Sequence, residues 1–410
     1  MRKKLHKFAA LLLGAVMLTS GFGQVGMSVL AQETEEAAVA ETTAAEEEQV
    51  EAAETAASSE EDIPEIAGLT YESQMELEYA ECFDVYYYEG GYALIVVYDS
   101  ASYLVVPEDM EVPEGLDEEI VVLQQPLDTI YLAATSAMAL FDSLDALDSI
   151  RLSGTQASGW YIDNAVAAME AGDIVYAGKY SEPDYELLVS EGCDLAIEST
   201  MILHSPKVQE MIELLGIPVF IDRSSYESHP LGRTEWIKAY AVLVDKEDAA
   251  EEFFAEQAQI IDEMEGFENT EQTVAYFYVS TDGTVVVRRP DDYIPKMIEL
   301  AGGRYAFADL DDDSGKTSVS ISMEEFYATA IDVDYLIYNA SIDATVDSID
   351  ALLAKSELFA DFKAVQEGNV WSTGKSLYQA TDIVGEFIRD INLMLTDGEE
   401  SEMMFLTRLE

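Results

Sequence analysis

The chain has 410 residues, and 49% of them are hydrophobic, which is enough to fill the cores of two domains of ordinary size. It carries 82 Asp and Glu residues against 21 Lys and Arg residues, a formal net charge of -61. A surface this acidic repels the phosphates of nucleic acids and of anionic lipid headgroups, so the composition excludes both as general partners. We expect a soluble protein, and we expect it to be a monomer.

The first 31 residues have the pattern of an export signal. Basic residues within 2–7 precede a short apolar run at 8–18, and small residues at 29–31 offer a cleavage site. No later run approaches the roughly 20 apolar residues that a membrane-spanning helix needs. The sequence thus predicts an exported protein at the outer face of the cell membrane. No cysteine lies directly after the apolar run, where a lipid anchor would be attached, so the means of retention stays open.

Residues 32–66 differ from the rest of the chain in composition. They lack Lys, Arg and aromatic side chains and consist mainly of Ala, Glu, Thr and Ser. Such a segment cannot bury enough apolar surface to offset its chain entropy, so we predict a disordered acidic linker.

From residue 67 onward, strand-like apolar runs alternate with helical periodicity. This alternation predicts an α/β fold with two Rossmann-like lobes, one at 67–233 and the other at 267–410. A hairpin is predicted around Gly90 and Gly91. Strands are predicted at 129–133, 173–177, 194–197 and 217–221 in the first lobe, and at 273–279, 284–287, 334–338 and 370–372 in the second.

The segment between the lobes has a different pattern. Residues 234–265 contain no Pro or Gly, and apolar side chains recur at helical spacing toward the end of the segment. We predict one long linking helix over 234–266. Each lobe also contains an acidic helix followed by an Asp and a short apolar strand, at 186–197 and at 324–338. This is weak evidence for a duplication, because such units recur in any α/β domain.

The most specific stretch is residues 227–238, which read ESHPLGRTEWIK. With the segments 298–303, 322–327 and 364–371, it resembles the solute-binding proteins of ABC importers for iron-siderophores, haem and cobalamin. In that family two Rossmann-like lobes are joined by a single backbone helix. The resemblance implies a binding protein that delivers its ligand to a membrane permease, with no cofactor and no enzyme activity. By position it implies that Glu186 and Glu324 dock on arginines of the permease, although Glu325 is a neighbouring alternative and an exposed Glu is usually only solvated.

Basic and aromatic residues near the lobe boundaries are candidates for the ligand site. Arginines suit a carboxylate-bearing ligand and aromatic faces suit a flat one, which favours a ferric siderophore or a related metal chelate. Arg233 could instead pair with Glu227 or Glu235, Trp236 could belong to the core, and strand alternation sends Arg288 and Arg289 to opposite faces. The predicted ligand-binding residues are Tyr226, Glu227, Arg233, Trp236, Arg288, Tyr293 and Trp371.

Other functions find less support in the sequence. A metal site would have to combine His204 and His229 with a carboxylate, and we predict none. An iron–sulfur enzyme needs more thiolates than Cys82 and Cys193 supply, and no nucleophile elbow or HExxH motif is present. Cys193 lies in a predicted buried strand, which favours a core thiol over a disulfide. Haem or cobalamin binding, or a surface ligand-sensing module without transport, remain alternatives.

Overall fold

A computed structural model describes residues 63–264, 267–311 and 316–410, without the side chains of 263 and 264. The predicted signal and almost all of the predicted linker lie outside these residues.

The first element is an antiparallel sheet with one parallel pair at its end, which we call the N-terminal sheet. Its turn at Gly90 and Gly91 has φ of +94° and +83°, a conformation that glycine adopts without strain, and the predicted hairpin is confirmed. The strands, in spatial order, are β1 Tyr71–Gln74, β2 Phe83–Tyr88, β3 Tyr92–Val97, β4 Ser102–Val106 and β5 Ile120–Gln124.

The first lobe is built on a parallel sheet, as the alternating pattern predicts. Its spatial order is β12-β11-β6-β7-β8, and one strand of it, β7, was not predicted from the sequence. The strands are β6 Ile130–Leu132, β7 Ile150–Ser153, β8 Val175–Tyr176, β11 Leu195–Ser199 and β12 Val219–Asp222, with a small ribbon of β9 Gly178–Lys179 and β10 Glu182–Pro183. The helices are α1 Met138–Ser143, α2 Asp163–Ala171, α3 Tyr185–Glu191 and α4 Pro206–Leu214.

Two helices, not one, follow the first lobe: α5 Pro230–Val244 and α6 Glu247–Met264. The predicted uninterrupted helix over 234–266 is therefore wrong. Asp245 adopts a left-handed conformation with φ of +55°, which ends α5. Lys238 of α5 lies 3.3 Å from the Glu251 carboxylate and over the ring of Phe254, both on α6. The chain thus reverses at Asp245, and α6 runs back along α5.

The cause of the reversal lies far away in the sequence. The side-chain amide of Gln125 donates to the carbonyls of Val242 and Leu243 at the end of α5, and to the carboxylate of Asp245 at 2.9 Å. These bonds satisfy carbonyl groups that a continuing helix would have used itself. A side chain more than a hundred residues upstream therefore decides where α5 ends.

The second lobe carries a mixed sheet with the spatial order β16-β14-β13-β17-β18-β19, and β15 pairs with β13. Its central strands β13, β17 and β18 are parallel, which agrees with the prediction of a second α/β lobe. The strands are β13 Thr273–Val279, β14 Val285–Arg288, β15 Arg304–Tyr305, β16 Ser318–Ile321, β17 Tyr335–Tyr338, β18 Val370–Thr373 and β19 Leu406–Arg408. The helices are α7 Tyr293–Leu300, α8 Met323–Ala330, α9 Ile349–Lys355, α10 Lys363–Glu367 and α11 Val384–Leu395.

Helix α5 is the element that joins the lobes. Every residue from 230 to 243 is buried, and the helix packs against α1 of the first lobe and against α7 and α11 of the second. Its apolar side chains therefore belong to one core that continues through both lobes. The two-lobed α/β class is confirmed. The element at its centre is the buried helix α5, not a single exposed helix between the lobes.

The weak internal repeat has a structural counterpart. In the first lobe, Asp194 precedes β11 and accepts a hydrogen bond from the backbone N–H of Thr129, just before β6. In the second lobe, Asp334 precedes β17 and accepts from the backbone N–H of Thr273, at the start of β13. In both lobes the two strands are parallel neighbours. The same helix–Asp–strand unit thus occupies the same place in each sheet.

The ESHPLGRTEWIK motif fastens the N-terminal sheet to α5. Glu235 is fully buried, pairs with Lys238 at 3.0 Å, and accepts backbone hydrogen bonds from residues 78–80. Glu227 accepts from the backbone N–H groups of Glu81 and Cys82 and from the indole of Trp236. Buried carboxylates are tolerated when donors surround them in this way. Much of the motif is therefore committed to internal packing.

Candidate functional site

The two lobes meet where the carboxyl ends of their parallel strands face each other. The turn after β7 approaches the loop that follows β18, and the Gln379 side chain joins them. Nearby, Ser143 of the first lobe donates to Asp382 at 3.4 Å, and Thr234 of α5 donates to the carbonyl of Thr381 at 2.8 Å. Ligands of open α/β sheets bind at such edges. This boundary is therefore the candidate binding cleft.

Two buried arginines lie at this boundary, in what we call the arginine cluster: Arg233, Arg288, Asp292, Tyr293 and Tyr378. Arg233 and Arg288 are only 5% and 6% exposed. The Arg233 guanidinium stacks 4.2 Å from the ring centre of Tyr293. Arg288 lies 3.7 Å from the Asp292 carboxylate and donates a hydrogen bond to the Tyr378 hydroxyl. The structure thus brings together three residues predicted from sequence, Arg233, Arg288 and Tyr293.

The charges of the arginine cluster do not balance. The one carboxylate of the cluster, Asp292, pairs with Arg288, and among the residues that the structure describes Arg233 has no ion-pair partner. Burial raises the pKa of Asp292 to about 6, although Arg288 and Arg233 both oppose this rise. A buried charge without a partner is costly, since desolvation is not repaid. The cluster is therefore electropositive and suited to an anion.

Asn339 was not predicted, although it belongs to the same site. It follows β17 directly, and its amide donates to the Tyr378 hydroxyl at 2.6 Å. Its own carbonyl oxygen is buried without a hydrogen-bond partner. Asp292 was also missed, and it caps α7 through the backbone N–H of Ile294. A polar residue immediately after an apolar strand was the available signal for Asn339.

Beside Arg233 and Tyr293 lies a cavity of about 10 Å³, roughly the space of one water molecule. Leu377, Val384 and Phe405 supply apolar parts of its wall. A metal chelate cannot fit into this space as it stands. Access of such a ligand to the arginine cluster therefore requires the surrounding loop to move.

The other predicted ligand residues lie elsewhere. Glu227 and Trp236 are buried in the first lobe, where their polar atoms bond to each other and to backbone groups. Trp371 is 1% exposed on β18, with the guanidinium of Arg408 over its ring. Sequence reasoning placed these three in the cleft because aromatic and charged residues near a motif look alike whether they bind ligand or fill the core. We assign them to the core.

Tyr226 remains available at the edge of the first lobe. It follows the carboxyl end of β12, is 37% exposed, and stacks under the guanidinium of Arg223 at 4.6 Å. Arg289 points away from the arginine cluster and pairs with Asp291, as strand alternation predicts. A ligand contact of Tyr226 stays a prediction.

The two predicted docking glutamates occupy equivalent positions. Glu186 is exposed in the first turn of α3, and Glu324 is exposed in the first turn of α8. Each helix leads into the Asp-and-strand unit that the two lobes share. Glu325 is also exposed beside Glu324. The equivalence gives the chain one acidic point at the same place on each lobe.

Both cysteines are free thiols, and they do not form the disulfide that the sequence left open. Burial raises the pKa of the Cys193 thiol to about 12, as befits a core position. Within the described residues no group of three or more His, Cys, Asp or Glu side chains is arranged to hold a metal ion. The same residues include no helix with the length and apolar character required to cross a bilayer.

His229 caps α5 as a neutral imidazole. Its Nδ1 accepts from the backbone N–H of Leu231 at 3.2 Å, and its ring stacks on Tyr79 at 4.5 Å. Burial, together with the nearby charge of Lys296, lowers its pKa to about 4. Between pH 4 and the ordinary value of 6.5 the unfolded chain binds this proton more tightly than the folded protein. The stabilisation from neutral His229 is therefore complete above pH 6.5 and is lost as the pH falls toward 4.

We expect His229→Asn, which keeps a capping acceptor but cannot titrate, to lose less stability than the parent on acidification. Urea unfolding of both proteins at several pH values between about 4 and 7 measures this, and other titrating groups cancel in the difference. The difference should grow by about 1–3 kcal/mol as the pH falls from 6.5 toward 4, because each unit by which the pKa of His229 is lowered contributes about 1.4 kcal/mol, discounted for its partial exposure. His204→Asn, on the surface, controls for removal of an imidazole. A difference that stays constant with pH would contradict the prediction.

The fold and the site define a two-lobed solute-binding protein with its cleft at the lobe boundary. The chain belongs to the periplasmic binding protein family, whose model matches residues 137–377, more than half of its length. The members are binding proteins, so the prediction of no enzyme activity is confirmed. The match begins after the N-terminal sheet.

The chain is similar at low identity to one curated protein and to several solved structures. The chain is 24% identical over 335 residues to an uncharacterized lipoprotein of Methanocaldococcus jannaschii, which covers 74% of this chain and 77% of that one. A possible iron-binding, periplasmic solute-binding protein from Staphylococcus epidermidis is 19% identical, with a TM-score of 0.51 over 65% of this chain and 97% of that one. A periplasmic heme binding protein from Vibrio cholerae is 16% identical, with a TM-score of 0.52 over 65% and 98%. These two structures share the fold.

Proposed function

We propose that this protein is the extracellular solute-binding component of an ABC importer, and that it captures an anionic metal chelate at the lobe boundary. The observation that carries the proposal is the arginine cluster, in which Arg233 is buried and, among the described residues, has no ion-pair partner, next to the buried Arg288–Asp292 pair. An electropositive, buried site binds an anion far better than it binds a neutral solute, because the anion supplies the missing countercharge.

The chemistry of the cluster favours a ligand that carries carboxylates or comparable anionic groups. A guanidinium presents its donors as a planar fork that matches a carboxylate. The ring of Tyr293, already stacked on Arg233, adds an aromatic face beside the charge. Ferric siderophores and haem both combine anionic groups with flat or ring-rich parts. We propose a ferric siderophore as the ligand, with haem or a cobalamin as the alternatives to be separated by experiment.

Delivery to a membrane permease accounts for the paired glutamates. Glu186 and Glu324 are exposed at equivalent positions of two lobes that close on the ligand. Two anionic points on separate lobes allow a cationic partner to sense their spacing, and hence the closed form. Export of the chain, indicated by the pattern of its first 31 residues, would place the protein on the side of the membrane where such a permease collects its substrate.

A thermal-shift panel of ferric siderophores, haem and cobalamins tests the proposed ligand. A ligand at about 100 times its Kd stabilises the folded protein by about 2.7 kcal/mol, which raises the melting temperature measurably. We expect at least one anionic chelate to do so for the parent protein and for Arg304→Met, a change at an exposed arginine. If every chelate leaves the melting temperature unchanged while the protein is folded, the proposed ligand class is wrong.

A further inference from the structure

One loop of the second lobe reaches both the arginine cluster and the first lobe. This loop, residues 374–383, follows β18 and leads into α11. Its Tyr378 hydroxyl accepts hydrogen bonds from Arg288 and Asn339, so it occupies donors that face the candidate ligand site. The next residue, Gln379, contacts the first lobe. Two adjacent side chains therefore connect the cluster to the lobe boundary.

Gln379 uses both halves of its amide in that contact. Its Oε1 accepts from the backbone N–H of Tyr161 at 2.8 Å, and its Nε2 donates to the backbone carbonyl of Gly159 at 2.7 Å. Both partners belong to the backbone of one turn, whose shape does not depend on side-chain rotamers. Such a two-point contact fixes the direction of the amide as well as its distance. It holds the loop in one position against the first lobe.

The loop in this position occupies the space that a ligand would need. Tyr378 takes a donor of Arg288 that a ligand carboxylate would otherwise use. The cavity next to it, lined in part by Leu377 of the same loop, has a volume of only about 10 Å³. An anionic chelate can reach Arg233 and Arg288 only after residues 374–383 move away.

We propose that Gln379 is a latch that keeps Tyr378 in the arginine cluster as an internal substitute for the ligand. The cluster becomes accessible when the two amide hydrogen bonds to the first lobe break and the loop leaves. The ligand then competes with the protein's own phenol for Arg288, so an anion too weak to displace the loop is rejected. This inference rests on the proposed function only in taking the arginine cluster as the ligand site.

The test measures access to the arginines without any chelate. Phenylglyoxal modifies accessible guanidinium groups, and peptide mapping gives the rate at Arg233 and Arg288 separately. In Gln379→Ala, loss of two hydrogen bonds should speed modification of both about tenfold, since two such bonds shift an equilibrium by roughly that factor. Gln379→Glu keeps the acceptor for Tyr161 but loses the donor, so an intermediate rate is expected. Gln366→Ala, whose amide bonds only within the second lobe, should match the parent.

Amide hydrogen exchange distinguishes movement of the loop from the mere loss of the hydrogen bond to Tyr161. Exchange at Tyr161 will increase in Gln379→Ala whether or not the loop leaves, because its acceptor is gone. If it increases while both arginines stay as protected as in the parent, the latch is wrong. Slow amide exchange throughout β13 shows that the variant has not unfolded as a whole. If Gln379→Ala does not fold, the same measurements are made on Gln379→Glu. If a chelate binds the protein but Gln379→Ala does not change arginine access, the latch alone is wrong. If Gln379→Ala increases arginine access but no chelate binds, the proposed function alone is wrong.

Discussion

Replacing Arg233 by Met weakens binding of the anionic ligand by about 10- to 100-fold, as we expect from the loss of a charge-assisted contact worth about 1.5–3 kcal/mol. Because Arg233 has no ion-pair partner among the described residues, its removal leaves no buried carboxylate uncompensated. The free energy of unfolding should therefore stay unchanged or rise. Isothermal titration with the chelate identified by thermal shift measures the affinity, and chemical denaturation measures the stability.

Arg288 gives a complementary result. Arg288→Met should also weaken binding. It removes the ion-pair partner of the buried Asp292 carboxylate, so the free energy of unfolding should fall as well. Adding Asp292→Asn should restore stability and leave affinity low. Arg304→Met, the same change at an exposed site, is the control. If Arg233→Met binds the chelate as tightly as the parent, the arginine cluster is a structural feature and the binding site lies elsewhere.

Reversing both docking glutamates, Glu186→Arg with Glu324→Arg, is expected to abolish uptake while ligand affinity survives. The change places cations where cationic groups of a permease would approach, and like charges at an interface cost several kcal/mol. Both residues are exposed at the starts of their helices and are not part of the buried arginine cluster, so ligand affinity should be unaffected. Chelate uptake by cells that carry the permease, and affinity of the purified variant, are the two measurements.

The control for reversal must account for net charge. Glu170→Arg combined with Glu357→Arg makes the same charge change at other exposed acidic residues, one on each lobe, and uptake should then persist. A second double reversal, Glu186→Arg with Glu325→Arg, tests whether Glu325 is the docking residue instead of Glu324. Loss of ligand affinity in the double reversal, or normal uptake, would contradict the docking role of Glu186 and Glu324.

The connecting helices and the ESHPLGRTEWIK motif show where sequence reasoning failed. The segment 234–265 contains no helix-breaking residue, so local periodicity predicted one continuous helix. The actual end of α5 depends on Gln125, which caps it from another part of the fold. The same limit affected Glu227 and Trp236, which look like site residues in the motif. Only the contact of both with each other and with residues 81 and 82 reveals their packing role.

Some of the site residues could be predicted from the sequence. Arg233 and Arg288 were notable because cations are rare in so acidic a chain, and Tyr293 because it follows Arg288 closely. Asn339 had one local signal, its place directly after an apolar strand, but its meeting with Asp292 and the arginines depends on the assembly of β14, β17 and α7. Tyr378 is only a weak candidate from the sequence, because its role depends on where its loop folds.

The sequence by itself determined the class of fold, because alternating strand and helix periodicities record which face of each element is buried. It also determined that cations near the lobe boundary would be few and therefore conspicuous. The tertiary structure alone decided where α5 ends, which buried charges have partners, and which loop covers the arginines. The physical reason is that periodicity is a local property of the chain, whereas capping, charge compensation and access depend on groups that are distant in sequence and meet only in the folded protein.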